Sequence, residues 1–163
     1  MSIAPRPSIA IVGPTAVGKT ELAIELCRRF GGEVINADSR QVYRCMDIGT
    51  AKPTAVEQFQ APHHLIDLLE PSEHFSLGSF LPLAKSASDD IFGRGLIPFL
   101  TGGTGQYVWA MLEEQFVPPV PPNQELREDL EREASEEDGA QALHDRLREI
   151  DPARADAIDA RNV

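Results

Sequence analysis

Cysteine, basic residues and long apolar runs are all scarce in this chain of 163 residues, and each scarcity excludes something. The two cysteines, Cys27 and Cys45, are spaced for neither a metal site nor a disulfide framework, which points to a reducing, cytoplasmic setting. No apolar run approaches the ~20 residues that span a bilayer, and Met1 to Ser8 lacks the charged-then-apolar order of a signal peptide. No membrane partner is expected. Basic residues number 15 against 26 acidic ones, a formal charge of −11 that sits awkwardly with a nucleic-acid partner. The deficit is uneven: from Asn123 onward there are 13 acidic and 6 basic residues, so the acid excess is concentrated in the tail. No internal repeat is present. An apolar content of 42% and a charged content of 25% are ordinary for a globular chain able to build one core and a small appendage.

What is present is concentrated near the start. Gly13-Pro14-Thr15-Ala16-Val17-Gly18-Lys19-Thr20 places two glycines, with four residues between them, ahead of Lys and Thr, the pattern of a phosphate loop. Ile9 to Val12 before it reads as a buried strand. Behind it, Leu22, Leu26, Arg29 and Phe30 fall near helical spacing. In such a strand–loop–helix unit, successive backbone N–H groups converge on one oxyanion at the positive end of the helix. Lys19 adds a mobile charge, and the Thr20 hydroxyl can ligate a magnesium ion. A bound phosphate or diphosphate is therefore expected.

Gly31-Gly32 predicts a helix stop, and Glu33 to Ala37 a second strand running into Asp38-Ser39-Arg40-Gln41. If that strand is parallel to the first, Asp38 emerges at the same carboxyl edge as the phosphate loop, where open α/β sheets bind ligands. Met46 to Pro53 reads as a loop, followed by a short helix capped by Thr54, a strand over 64–69, and a helix from near Ser79 to Phe92 with Pro82 in its first turn. Leu96 to Leu100 predicts a strand opening into a glycine turn at Thr101–Gly105, and a helix begins around Gln106. This alternation implies an α/β fold with a parallel sheet covered by helices on both faces.

Pro118-Pro119-Val120-Pro121-Pro122 reads as a stiff spacer. Beyond it, helices are predicted over 124–135 and 139–150, with a third entered by Asp151-Pro152. The division expected is a core over 1–117 and the opening of a helical domain over 118–163, in a chain cut short at Val163.

Taken together, the motifs resemble the tRNA dimethylallyltransferases, also called tRNA isopentenyltransferases. The residues that carry the resemblance are the loop from Gly13 to Thr20, Asp38-Ser39-Arg40-Gln41-Val42-Tyr43, the run Met46 to Pro53, Pro62-His63-His64-Leu65, and Gly102-Gly103-Thr104 followed by Tyr107. The run from Asp47 to Pro53 is far more specific than the phosphate loop. The resemblance implies a P-loop NTPase-like core and an enzyme that moves a five-carbon allyl group from dimethylallyl diphosphate to N6 of an adenosine beside the tRNA anticodon. It implies that Gly13, Pro14, Thr15, Ala16, Val17, Gly18, Lys19 and Thr20 hold the donor's diphosphate, with Mg2+ on Thr20. Asp38 becomes the general base on the adenine amine, with Lys19 and Thr15 beside the reacting groups. Asp38, Ser39, Arg40, Gln41, Thr104 and Arg127 become tRNA contacts, and a monomer is expected.

Blander readings stand beside these. Asp38 also suits a magnesium shell or a nucleotide ribose, and Thr15 can simply form the loop turn. Thr104 also suits a helix cap, Arg127 an ion pair with Glu131, and Lys52 a solvated loop lysine. His63 and His64 read as structural. Three other readings fit the phosphate loop: a small-molecule kinase, an adenylate isopentenyltransferase with the same donor and a free nucleotide acceptor, and a non-enzymatic phosphate-loop binding module.

Overall fold

The computed structural model describes residues 8–14, 16–113 and 123–160, and the chain divides into two units, Met1–Pro118 and Pro119–Val163. The first unit alternates β1 (Ile9–Val12), α1 (Lys19–Phe30), β2 (Gly32–Asn36), α2 (Ala55–Gln60), β3 (His63–His64), α3 (Leu77–Gly93), β4 (Ile97–Gly102) and α4 (Gly105–Leu112). All strand pairs are parallel, in the order β1-β4-β2-β3. The predicted parallel α/β sheet is therefore present. Val12 lies opposite Gly102, and Asn36 opposite Thr101, so the carboxyl ends of the three longer strands share one edge.

Two apolar clusters sit on the sheet. Ile35, Phe80, Leu81, Ala84, Ile91, Leu100 and Val108 belong to one; Ile11, Ala23, Ile24, Cys27, Val34 and Phe99 belong to the other. In α1 the buried positions are Ala23, Ile24 and Cys27, whereas Leu22 and Phe30 are 50% and 58% exposed. Both sets have helical spacing. Packing against the sheet selects the one with the smaller side chains, Ala23 and Cys27, which allow close approach. Burial raises the Cys27 thiol to about 11, so it behaves as a small apolar residue.

The predicted turns are close to those found. Gly31 ends α1 at φ 73°, with its N–H on the Cys27 carbonyl, and Thr54 caps α2 in a reciprocal capping box with Glu57. Two expectations change. Helix α3 starts at Leu77, capped by Ser76, so Pro82 lies in its second turn and one early backbone hydrogen bond is forgone. The strand expected over 64–69 contracts to His63–His64, because Leu65 and Asp67 take left-handed φ of 63° and 54°. Side chains fix that turn: Asn36 Nδ2 donates to the Leu65 carbonyl, and Lys52 Nζ donates to Asp67 Oδ1.

The second unit holds α5 (Gln124–Ala134), α6 (Gly139–Ile150) and α7 (Pro152–Ala157). Asn123 caps α5 and Asp151 caps α7, which carries Pro152 in its first turn. A Cβ on Gly139 would lie 1.9 Å from the Glu133 carbonyl oxygen, so only glycine lets α5 and α6 pack at that turn. The His144 ring bonds the Ala155 carbonyl at 2.9 Å and ties α6 to α7. Most acidic side chains of this unit face water.

Candidate active site at the carboxyl edge of the sheet

A cleft of about 310 Å³ opens where β1, β4 and β2 end. One wall is the start of α1: Ala16, Gly18, Lys19, Thr20 and Glu21. The floor includes Val34, Asn36, Thr101 and Gly102. The opposite wall carries Asp38, Gln41, Thr50, Ala51 and Pro53.

The α1 wall is built by backbone geometry. Gly18 caps the helix at φ 87°, and Ala16 also has positive φ, 65°. No side chain caps the first turn, so its N–H groups are not taken by a cap at the positive end of the helix. Lys19 Nζ donates to the Pro14 carbonyl at 2.7 Å, closing the loop on itself. Thr15, the remaining loop position assigned a role, lies outside the described residues. Gly13, Pro14 and Val17 belong to the loop but do not line the cleft itself.

Asp38 is placed by an exact local network on the opposite side. Its N–H donates to Asn36 Oδ1 at 3.1 Å, while Asn36 Nδ2 reaches the Leu65 and Asp38 carbonyls. Asp38 Oδ1 accepts the Arg40 N–H at 2.9 Å, a turn that fixes the carboxylate. Gly102 makes the approach possible, since a Cβ there would sit 2.2 Å from the carbonyl carbon of Ala37. Thr104 does not cap α4 through its side chain. Its hydroxyl accepts the Ser39 N–H at 3.0 Å and donates to Ser39 Oγ at 3.2 Å.

The cleft thus brings together Ala16, Gly18, Lys19, Thr20, Asp38 and Gln41 among the residues the sequence singled out. Ser39 and Thr104 do not line it, but are hydrogen-bonded to each other next to Asp38 in the chain. Arg40 is exposed on the neighbouring surface. Arg127 lies on α5 in the second unit, and among the described residues no ion pair joins it to Glu131.

Three features escaped the sequence. Lys52, read as a solvated lysine, is 8% exposed and donates to the Tyr43 carbonyl, Asp47 Oδ1 and Asp67 Oδ1 at 2.7, 2.7 and 2.6 Å. Burial alone would lower its pKa, but the hydrogen bonds to Asp47 and Asp67 hold it above the usual lysine value. Gln41 Nε2 donates to the Thr50 and Ala51 carbonyls, so its amide braces the cleft wall. Glu33, buried on β2, is gripped by both terminal nitrogens of Arg94 and by His64 Nε2. A polar residue in an otherwise apolar strand pattern was the one signal available for that cluster.

Among the described residues no group of three or more His, Cys, Asp or Glu is arranged to hold a metal ion. A hydroxyl ligand such as Thr20, completed by substrate oxygens and water, is a donor set that suits magnesium, which rarely takes an all-protein cage. Among the described residues no helix is long and apolar enough to cross a membrane.

Comparisons with known proteins show what the chain resembles in sequence and fold. Residues 41–163 match the family model described as IPP transferase, and residues 8–64 match that of isopentenyl transferase. A tRNA dimethylallyltransferase of Chloroflexus aurantiacus is 58% identical over 95% of this chain and 52% of its own, and one of Roseiflexus sp. is 56% identical over 96% and 51%. A solved tRNA isopentenylpyrophosphate transferase of Bacillus halodurans is 49% identical, with a TM-score of 0.68 over 97% of this chain and 52% of that one. A eukaryotic dimethylallyltransferase solved acting on tRNA is 30% identical, with a TM-score of 0.79 over 97% of this chain and 39% of its own. The chain spans about half the length of the curated relatives it matches. Since the first model alone covers well over half of the residues, the chain belongs to the IPP transferase family.

Proposed function

We propose that this chain carries the donor-binding and proton-accepting part of a tRNA dimethylallyltransferase. The observation that carries the reading is the shared cleft of Lys19, Thr20 and Asp38. The N–H groups at the start of α1, with Lys19, bind the diphosphate of dimethylallyl diphosphate and stabilise the charge it gains on leaving. Magnesium, held by Thr20, neutralises part of that charge when bound. Asp38 accepts the proton of the N6 amine as that nitrogen bonds to the allylic carbon and the carbon–oxygen bond to diphosphate breaks. An aromatic amine is a weak nucleophile, so a positioned base contributes about 10²–10⁴-fold. Ser39, Arg40, Gln41 and Thr104 contribute contacts to the RNA acceptor, and Arg127, in the second unit, contributes one of its own. The target base leaves its stack at little cost in an anticodon loop. Loop residue Thr15 completes the donor site. Residues 118–163 belong to a helical part that contacts the RNA, and the enzyme acts as a cytoplasmic monomer.

The test is mass spectrometry of an anticodon stem-loop incubated with the full-length enzyme, dimethylallyl diphosphate and magnesium. One dimethylallyl group is expected on the RNA, and Asp38→Asn is expected to slow the transfer at least 100-fold while donor binding, followed by calorimetry, persists. Preference for ATP over dimethylallyl diphosphate, or transfer to free adenylate alone, overturns the assignment.

A further inference from the structure

The loop after β2 ends in an apolar side chain that the core does not use. Ile48 is 98% exposed, and Met46 beside it is 37% exposed. Exposed apolar tips are ordinary on slack loops, but this one is rigid. Lys52 anchors its far end to Tyr43, Asp47 and Asp67. The Thr50 hydroxyl donates to the Met46 carbonyl, and the Lys52 N–H donates to the Asp47 carbonyl at 3.0 Å. Cys45 and Ala51 both hold positive φ, 61° and 50°, a strain that persists only where surrounding contacts over-determine it. A preorganised loop that exposes isoleucine is built to meet a partner.

Position and charge say which partner. A hollow of about 350 Å³ is lined by Arg40, Cys45, Met46, Asp47, Ile48, Gly49 and Thr50. Thr50 also lines the cleft that holds Asp38, so the two hollows share a wall. Among the described residues the Arg40 guanidinium makes no hydrogen bond or ion pair, while its backbone N–H donates to Asp38 Oδ1 and its carbonyl accepts the Tyr43 N–H. An unpaired guanidinium beside a fixed apolar tip matches one unstacked nucleotide: cation to phosphate, aliphatic side chain to base face.

We propose that the Met46–Thr50 loop is a docking platform for a single-stranded RNA nucleotide flanking the modified base, with Ile48 against the base and Arg40 on its phosphate. This rests on the RNA-acceptor reading above. Lys52 serves it as a positioning residue, holding the platform without touching RNA.

The experiment measures binding of an anticodon stem-loop to the full-length enzyme over a salt series, beside calorimetry with dimethylallyl diphosphate. Ile48→Ser is expected to weaken RNA binding about tenfold, leaving the salt dependence, the melting temperature and donor affinity as in the unaltered protein. Arg40→Gln is expected to reduce the slope of log affinity against log salt by about one. RNA affinity within twofold of the unaltered enzyme in Ile48→Ser overturns the platform and leaves the acceptor reading standing. Failure of the unaltered enzyme to bind the stem-loop removes both.

Discussion

The Thr104 hydroxyl accepts the backbone N–H of Ser39, 65 residues away in sequence, and donates to the Ser39 side chain in return. This pair fastens the segment after β2 to the start of α4, one residue from Asp38. A residue with the composition of a helix cap thus acts across the sheet edge.

Thr104→Ala leaves the Ser39 N–H without its partner in a half-buried place. The expected loss of stability is about 1 kcal/mol. Loosening Asp38 is expected to lower kcat about 10- to 100-fold with donor affinity unchanged. Thr104→Ser, which keeps the hydroxyl, restores most of the rate. Steady-state kinetics on the three proteins, with thermal melts, separate the effects.

Lys52→Met removes the cation between two carboxylates and leaves Asp47 and Asp67 facing each other. Both aspartates are partly exposed, at 65% and 44%, which moderates the penalty. A loss of about 2 kcal/mol in urea unfolding is expected, smaller than for a fully buried pair. A positioning role predicts in addition a raised KM for RNA, which a fall in the fraction folded would not produce. Lys52→Arg keeps the charge but not the compact three-donor geometry, and is expected to fall between.

Glu33 sets a pH limit. The hydrogen bond from Arg94, together with those from His64 and the nearby charges, outweighs burial and lowers its pKa from 4.5 to about 2. A depressed folded-state value means the stabilisation is complete above about pH 4.5 and is lost as pH falls toward 2. Glu33→Gln is expected to be less stable at neutral pH and to show a flatter stability profile across that acid range. Urea titrations at several pH values read both.

Much of the fold was legible because local signals agreed with each other. Gly31, Thr54, Asn123 and Asp151 mark helix ends by backbone and capping chemistry that acts within three or four residues, so one sequence suffices to read them. The strand expected over 64–69 was illegible for the opposite reason. Its apolar pattern is real, but Asn36 and Lys52, distant in sequence, take its backbone carbonyl and its carboxylate and turn the chain. The burial of Lys52 was hidden likewise, since its two acidic partners sit 5 and 15 residues away and only the folded turn joins them. Within the candidate site, the phosphate loop and Asp38 could be read from strand-end logic, whereas the Ser39–Thr104 clasp and the Gln41 brace depend on tertiary contacts.

The strand order carries one more consequence. β4 stands between β1 and β2, so the chain that leaves β1 and the chain that leaves β2 rise two strand widths apart. Neighbouring strands are about 4.8 Å from centre to centre, which sets those two exits roughly 10 Å from each other. A ligand that meets both the loop after β1 and the segment after β2 must bridge the width of β4, so the sheet itself acts as a caliper for the cleft.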